Sequence, residues 1–573
     1  MTQFSRKALS IIVLIALLMT VLVGCGATKE VQPEETGAVA TTQSESTQAE
    51  VETMEPITFT AFTSDTSINT KWGEDPVSKK ITELTGVTLD IEFLVGNLNE
   101  KIGIMLASGD YPDLMLSITH ENIAQLSQAE VLVPMEEYLD KYGDNIKKVF
   151  GDKVGAMKSE IDGKIYGFNR EFGGQPTKSP VNMQIQYAML KDAGYPKITT
   201  LDQLYDLIKN YKQKNPKYDG KDTIGLASWG ASWGFNVTFN NAALRTSGFQ
   251  DDGNFYIDPN TLESKYGLTT DAAKLYLKWL NKMNKEGLFD KDSFVQKDEA
   301  FQAKIISGRV LVTSNAWWNI EQAEAALRKA GKEDRVYAEL PVYVSQEAAD
   351  NSRISYYDPF GSWKSAITKN CKDPERAFKF FDKMWSEEMQ VLCNWGVEGE
   401  SYTVDASGKR TMKPDYLNGY FSDDTFMSRT GIKAYYYWSC GPVVKDATGQ
   451  YLDPFTAPEI EASQYTEMDK EVLKAYNPEA ITWIDLSPKP EASPWGFAWK
   501  LTLPSDSDGA IAQNKVENEI RVNSVVKMVE AKTDEAFDTE WESFIKQCKD
   551  AGIEKREAEI NAALKTRMDL WYK

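Results

Sequence analysis

Ile57-Thr-Phe-Thr-Ala-Phe62 alternates apolar with polar positions and is rich in β-formers, which predicts a strand. Asp75 to Thr85 follows as a predicted helix, closed by Gly86 as its C-terminal cap. Val87-Thr-Leu-Asp-Ile-Glu-Phe93 alternates again and predicts a second strand. Asn97 to Ala107 predicts a helix, Ser108-Gly-Asp-Tyr-Pro-Asp113 a turn, and Leu114-Met-Leu-Ser117 a short buried strand. Strands that alternate with helices at this spacing predict an α/β fold. Its sheet should be mainly parallel, with helices on both faces.

Further along the chain, two helices announce their starts. Thr200 with Gln203 makes a capping-box pattern ahead of the stripe Leu201, Leu204, Tyr205, Ile208 and Tyr211. Asp373-Pro374 places an N-cap before proline at the first helical position, with Ala377, Phe378, Phe381 and Trp385 as the buried face. From about Asp534 to Leu570 the pattern predicts two helices broken near Gly552. The roughly 515 residues from Pro56 onward exceed what one core holds, so two or more lobes are expected.

Toward the N-terminus the pattern changes. Arg6 and Lys7 precede an apolar run from about Ala8 to Val23, shorter than the ~20 residues a membrane-spanning helix needs. It ends in Leu22-Val23-Gly24-Cys25, which resembles a bacterial lipobox. That resemblance implies cleavage before Cys25 and a lipid on its sulfur, anchoring the protein outside the cell. Residues 26–55 are Gln, Glu, Thr, Ser, Ala and Val with almost no large apolar side chain, the composition of a disordered tether.

The formal net charge is −21 and blocks of basic residues are absent, which argues against nucleic acid as a partner. Cys371, Cys393, Cys440 and Cys548 are far apart and form no Cys-x-x-Cys pair, so metal and disulfide frameworks find little support. No Asp-x-Asp-x-Asp-Gly loop is present, and neither a metal nor a cofactor is expected. His120 is the sole histidine, which removes zinc sites of the HExxH type. No Gly-x-Ser-x-Gly elbow and no phosphate-binding GxxxxGK[ST] loop occurs. Carboxylates are plentiful, so composition leaves a glycosidase open.

The order of segments resembles the bacterial extracellular solute-binding proteins of ABC importers, above all the large lipoprotein members of the carbohydrate-binding group. The resemblance begins with strand, helix, Thr85-Gly86-Val87, strand, helix, and Ala107-Ser108-Gly109-Asp110-Tyr111-Pro112-Asp113-Leu114. It continues through Val131-Leu-Val-Pro-Met-Glu-Glu-Tyr-Leu139, Asp162-Gly-Lys-Ile-Tyr-Gly167, Tyr187-Ala-Met-Leu-Lys-Asp-Ala-Gly194 and Ser307-Gly-Arg-Val-Leu-Val-Thr-Ser-Asn-Ala-Trp-Trp318. It ends with Asn394-Trp-Gly-Val-Glu-Gly399 and Tyr402-Thr-Val-Asp405. The resemblance implies a two-lobed periplasmic-binding-protein-like fold of type II with a multi-strand hinge. It places one lobe at 56–178 plus 365–430 and the other at 180–360 plus 432–573. It further implies an oligosaccharide or similar solute held between the lobes, ABC permease subunits as partners, no enzymatic step, and a monomer tethered to the outer face of a Gram-positive-type membrane.

Fifteen tryptophans suit such a ligand, because an indole face stacks on the C–H face of a sugar ring while Asp, Asn, Gln and Arg hold its hydroxyls. Trp317, Trp318 and Asn315 lie in the segment resembling the family's cleft. Trp229 and Trp233 share a glycine- and serine-rich loop, and Trp363 follows Gly361 where the chain returns across the hinge. Trp395 and Tyr402 flank a glycine turn, and Trp438 ends the run Tyr435-Tyr-Tyr-Trp438. His120 and Glu121 follow the third strand at its C-terminal end, where open α/β sheets bind ligands, and Asp65 and Asn69 follow the first. Arg170 is expected either to clamp an acidic sugar or to pair structurally. For each of these the plain alternative is packing or capping. A surface-anchored glycosidase or polysaccharide lyase, and a peptide receptor of the same architecture, are the competing functions.

Overall fold

The computed structural model describes residues 55–66, 69–177, 183–250, 252–353, 356–358, 360, 363–487, 489 and 491–572. Cys25 and the tether up to residue 54 lie outside the described residues, as does Gly361. Nine strands build two main sheets: β1 (Ile57–Thr63), β2 (Val87–Phe93), β3 (Leu114–Thr119), β4 (Phe168–Asn169), β5 (Met183–Gln186), β6 (Ile224–Leu226), β7 (Val310–Thr313), β8 (Tyr337–Leu340) and β9 (Trp363–Ile367). The first sheet has the order β2-β1-β3-β9-β4 and the second β8-β5-β7-β6.

Local chemistry sets the elements much as the sequence predicts. Helix α1 (Pro76–Thr85) starts where the Asp75 carboxylate accepts from Ser78 N–H and ends at Gly86 with φ 67°, a conformation glycine adopts without strain. Asn97 caps α2 (Leu98–Ser108). Both bonds of the Thr200–Gln203 capping box form, and Asp373 caps the helix Pro374–Met384. The C-terminal pair is Asp534–Ala551 and Ile553–Tyr572.

The sheets are mixed rather than mainly parallel. β1 pairs parallel with β2 and β3, but β9 runs antiparallel to both β3 and β4. In the second sheet β6 and β7 are parallel while β5 is antiparallel to β7 and β8. In each sheet the reversed strand is the one by which the chain enters from the other lobe: β5 opens the second sheet and β9 re-enters the first.

Two separate cores follow. One gathers side chains of Phe59–Phe168 and Ala366–Phe455, the other those of Met183–Val342 and Val472–Leu564. The chain therefore passes between cores three times, after Phe168, Val342 and Phe455. The boundary expected at 432 shifts: Ile432, Tyr435, Trp438, Leu452 and Phe455 are buried in the first core, where Trp438 packs on Phe380 and Phe381, Tyr435 on Trp72 and Phe455 on Tyr420.

Candidate functional site

On the first lobe, the C-terminal ends of β1 and β3 lie side by side. The Asp65 carboxylate accepts from Arg170 Nη1 at 2.7 Å, the same Nη1 donates to Ser117 Oγ at 3.3 Å, and the guanidinium lies 5.4 Å from the centre of the half-buried Trp363 ring. Arg170 is thus paired with Asp65 in this structure. Ser117 holds φ 50°, an uncommon strained conformation for a side-chain-bearing residue, inside β3 where its pairing with β9 shifts register.

Thr119, not His120, caps the next helix, α3 (His120–Gln128), by accepting from Asn122 N–H. That leaves His120 unused as a cap. It is 7% exposed and its Nε2 has no hydrogen-bond partner among the described residues. Burial, then Lys364, Lys500 and Arg567, hold its pKa well below 6.5, so the ring is neutral. Glu121 beside it is exposed, and so is Asn69. Across the gap the Glu517 carboxyl is pushed up, by burial first and by Glu121 among lesser causes, while Arg521 opposes.

The second lobe presents a tryptophan shelf at the C-terminal ends of β6 and β7. Trp229 is buried and donates Nε1–H to Asn315 Oδ1 at 3.3 Å. Asn315 is fixed in turn by Gln184, whose amide both donates to Asn315 O (2.7 Å) and accepts from Asn315 N–H (2.9 Å). This network orients Trp229 and Asn315, and Trp233 and Trp318 project from it. Trp233 meets Trp229 edge-on at 4.6 Å and 88°, and stacks on Trp318 at 5.5 Å and 28°. Trp233 is 50% and Trp318 47% exposed, and Trp317 is exposed as well. Gly234 permits this: a Cβ there would fall 2.5 Å from the Trp229 ring. Next to Trp317 a cavity of about 120 Å³ is walled by Tyr465, Trp483, Glu324 and Arg328. Burial pushes the Glu324 carboxyl up to about 7.

The lobes meet on a sealed floor. Glu160 of the first lobe accepts from Arg567 Nε at 2.6 Å and from Thr502 N–H at 2.9 Å. Arg567 also donates to the carbonyls of Trp495, Phe497 and Lys500. Lys500 pairs with Asp358 at 3.1 Å. Gly155 admits the last helix, since a Cβ there would lie 2.3 Å from Leu570 O.

Three expected site residues lie elsewhere. Trp438 is 1% exposed in the first core. Trp395 and Tyr402 are buried against each other at 5.6 Å, with Trp395 Nε1 donating to Tyr451 O. Their rings are used in packing, which corrects the expectation for all three. Gln184, Lys500, Glu517 and Arg567 went unread. Only Gln184 left a trace, as a polar residue in the apolar run Met183-Gln-Ile-Gln186. The four described cysteines, Cys371, Cys393, Cys440 and Cys548, are buried free thiols, and burial pushes each up to about 12. Among the described residues no group of three or more His, Cys, Asp or Glu is placed to hold a metal, and no helix is long and apolar enough to cross a membrane.

Residues 68–391 match the sequence model of the bacterial extracellular solute-binding proteins. The chain belongs to that family. This solute-binding protein is similar to the lipoprotein LipO of Bacillus subtilis (strain 168), with 24% identity over 58% of this chain and 64% of that one. It is similar to FusA, a fructooligosaccharide ABC transporter substrate-binding protein of Streptococcus pneumoniae serotype 4, with 24% identity over 57% of this chain and 60% of that one. It is also similar to the polygalacturonan/rhamnogalacturonan-binding protein YtcQ of B. subtilis (strain 168), with 23% identity over 61% and 68%. The first two matches thus span less than two thirds of the relatives' own lengths. The solved structure of S. pneumoniae FusA in complex with kestose superposes with a TM-score of 0.61 at 18% identity, covering 89% of this chain and 99% of that one. At that identity the likeness is one of fold: α/β, two-lobed, periplasmic-binding-protein-like of type II.

Proposed function

We propose that this protein captures an oligosaccharide between its lobes and hands it, unaltered, to an ABC permease. In this reading the lipid on Cys25 holds it to the outer face of the membrane, and residues up to about 55 act as the spacer. The observation that carries the reading is the stacked pair Trp233 and Trp318, half exposed on a buried amide network. Large, rigid, exposed indoles are costly to leave in water and gain most by stacking on a ligand. Support for a shelf facing the first lobe comes from a short chain of neighbours: Trp233 is three residues from Asn236, which accepts from Arg521, and Arg521 adjoins Glu517, whose carboxyl is influenced by Glu121 of the first lobe. Asp65, Arg170, His120 and Trp363 form the opposing wall. The polar groups nearest these rings are Asp65, the mutually bonded amides of Asn315 and Asn319, and the buried Nε2 of His120. Binding favours the closed arrangement of the lobes because only there do both walls reach one ligand.

A thermal-shift screen of the purified ectodomain against glycan and peptide panels tests this. A ligand at a hundred times its Kd should add about 2.7 kcal/mol. Chromatography of the recovered glycan should show it intact. Stabilisation by peptides alone, or steady glycan breakdown, would overturn the reading. Cys25→Ala should release the protein from cells into the medium if the lipid holds it.

A further inference from the structure

We infer that the cleft selects uncharged oligosaccharides and turns away acidic ones such as uronates. This rests on the carbohydrate reading above and adds the ligand's charge class. A sugar carboxylate buried between lobes needs a guanidinium or ammonium whose charge is not already matched, because an unpaired buried charge costs several kcal/mol. Among the described residues, the cations at the facing walls are already engaged. Arg170 is held by Asp65 at 2.7 Å and covered by Trp363. Arg521 donates to Asn236 and to Glu517 O and has the Glu517 carboxylate at 4.0 Å. Arg567 is bound by Glu160 and three carbonyls, and Lys500 by Asp358. Lys364 has only the Met157 carbonyl, at 3.3 Å, but it is buried on the floor, and that burial pulls its pKa down to about 8. A uronate reaching Arg170 would have to displace Asp65 and strand that carboxylate instead.

The remaining charge is of the wrong sign for an acid. Burial first, and Glu121 of the first lobe as a lesser cause, push the Glu517 carboxyl up. The cavity beside Trp317 sets Glu321, Glu324, Glu339 and Asp469 against one guanidinium, and that of Arg328 is taken by both oxygens of Asp469 at 2.8 and 2.9 Å. Glu324 is already driven toward its neutral form there, which shows how poorly this wall accepts another negative charge. What the walls do offer is uncharged: the indoles of Trp233 and Trp318, the amides of Asn315 and Asn319, and the imidazole of His120. Burial first, then Lys364, Lys500 and Arg567, keep that imidazole from protonating, so its buried Nε2 meets a hydroxyl as a neutral partner.

Calorimetric titration of the ectodomain with size-matched neutral fructan-, glucan- and xylan-derived oligosaccharides and with oligogalacturonates tests this, each at low and high salt. The expected result is binding of a neutral series, with oligogalacturonates weaker by about ten-fold or more, as like charges across a surface cleft demand. The affinity for the neutral ligand should not change with salt. Oligogalacturonates binding as tightly as the best neutral ligand, with affinity that falls in salt, would overturn this inference and leave the carbohydrate reading standing. Binding of neither series would overturn both.

Discussion

The floor where the lobes join and the shelf on the second lobe use opposite physics. On the floor, charges are buried and matched: Glu160, Arg567, Lys500 and Asp358 are almost wholly withdrawn from water, and the Arg567 guanidinium has four oxygen partners. On the shelf, large uncharged rings are left half in water, while the polar groups behind them satisfy one another. A buried ion pair is poor at adding stability, but losing half of it is expensive, so it fixes one geometry. An exposed indole contributes little to folding and keeps its surface for a ligand. Under the function proposed above, the contrast assigns one region to fixing where the lobes join and the other to meeting the ligand.

The sharpest way to break the contrast is at the floor. Arg567→Met strands the Glu160 carboxylate and should cost about 3–5 kcal/mol of stability, read by chemical denaturation. Trp438→Ala should cost a similar 3–5 kcal/mol, because it opens a cavity in the first core. Trp318→Ala, the same chemical change on the shelf, should leave the melting temperature nearly unmoved. It should weaken ligand binding by about 2 kcal/mol, roughly thirty-fold in Kd by calorimetry. If both tryptophan variants lose stability equally, the division between regions fails.

Lys364→Met probes the one floor cation without a carboxylate at ion-pair distance among the described residues. Its pKa falls from 10.5 to about 8, so holding the charge costs the fold about 3 kcal/mol, partly offset by its bond to Met157 O. The variant should be more stable by about 1–3 kcal/mol at neutral pH. The unfolded chain binds more protons here between about 8 and 10.5, so wild-type stability should gain from this group as pH rises through that window. The variant should lose that gain.

The smallest effect concerns His120. Its folded pKa lies well below 6.5, so the unfolded chain takes up the proton first as pH falls. Its contribution is complete above 6.5 and fades below it. His120→Gln should flatten that part of the pH–stability curve, read by chemical denaturation at a series of pH values below 6.5.

Much of the fold was legible because it is written in local chemistry. Asp75-Pro76, Thr200 with Gln203, Asp373-Pro374 and the glycines at 86 and 552 each fix an element end by their own backbone bonds. The mixed pairing of the sheets and the core assignment of Ile432–Phe455 were not legible, because they depend on where the chain returns after crossing between lobes. The tryptophans divided in the same way. Sequence neighbourhood drew attention to Trp233 and Trp318 as well as to Trp395 and Trp438, yet only contacts distant in the chain leave the first pair in water and bury the second.

By itself, then, the sequence determined the alternation of strands and helices, their caps, and the family's order of segments, since these need only neighbours within a few residues. The tertiary structure decided which indoles remain exposed, that Arg170 is matched by Asp65 across 105 positions, and that Glu160 meets Arg567 across 407. Burial and charge compensation arise between parts of the chain that no local pattern relates, and they alone separate a binding wall from a packed one.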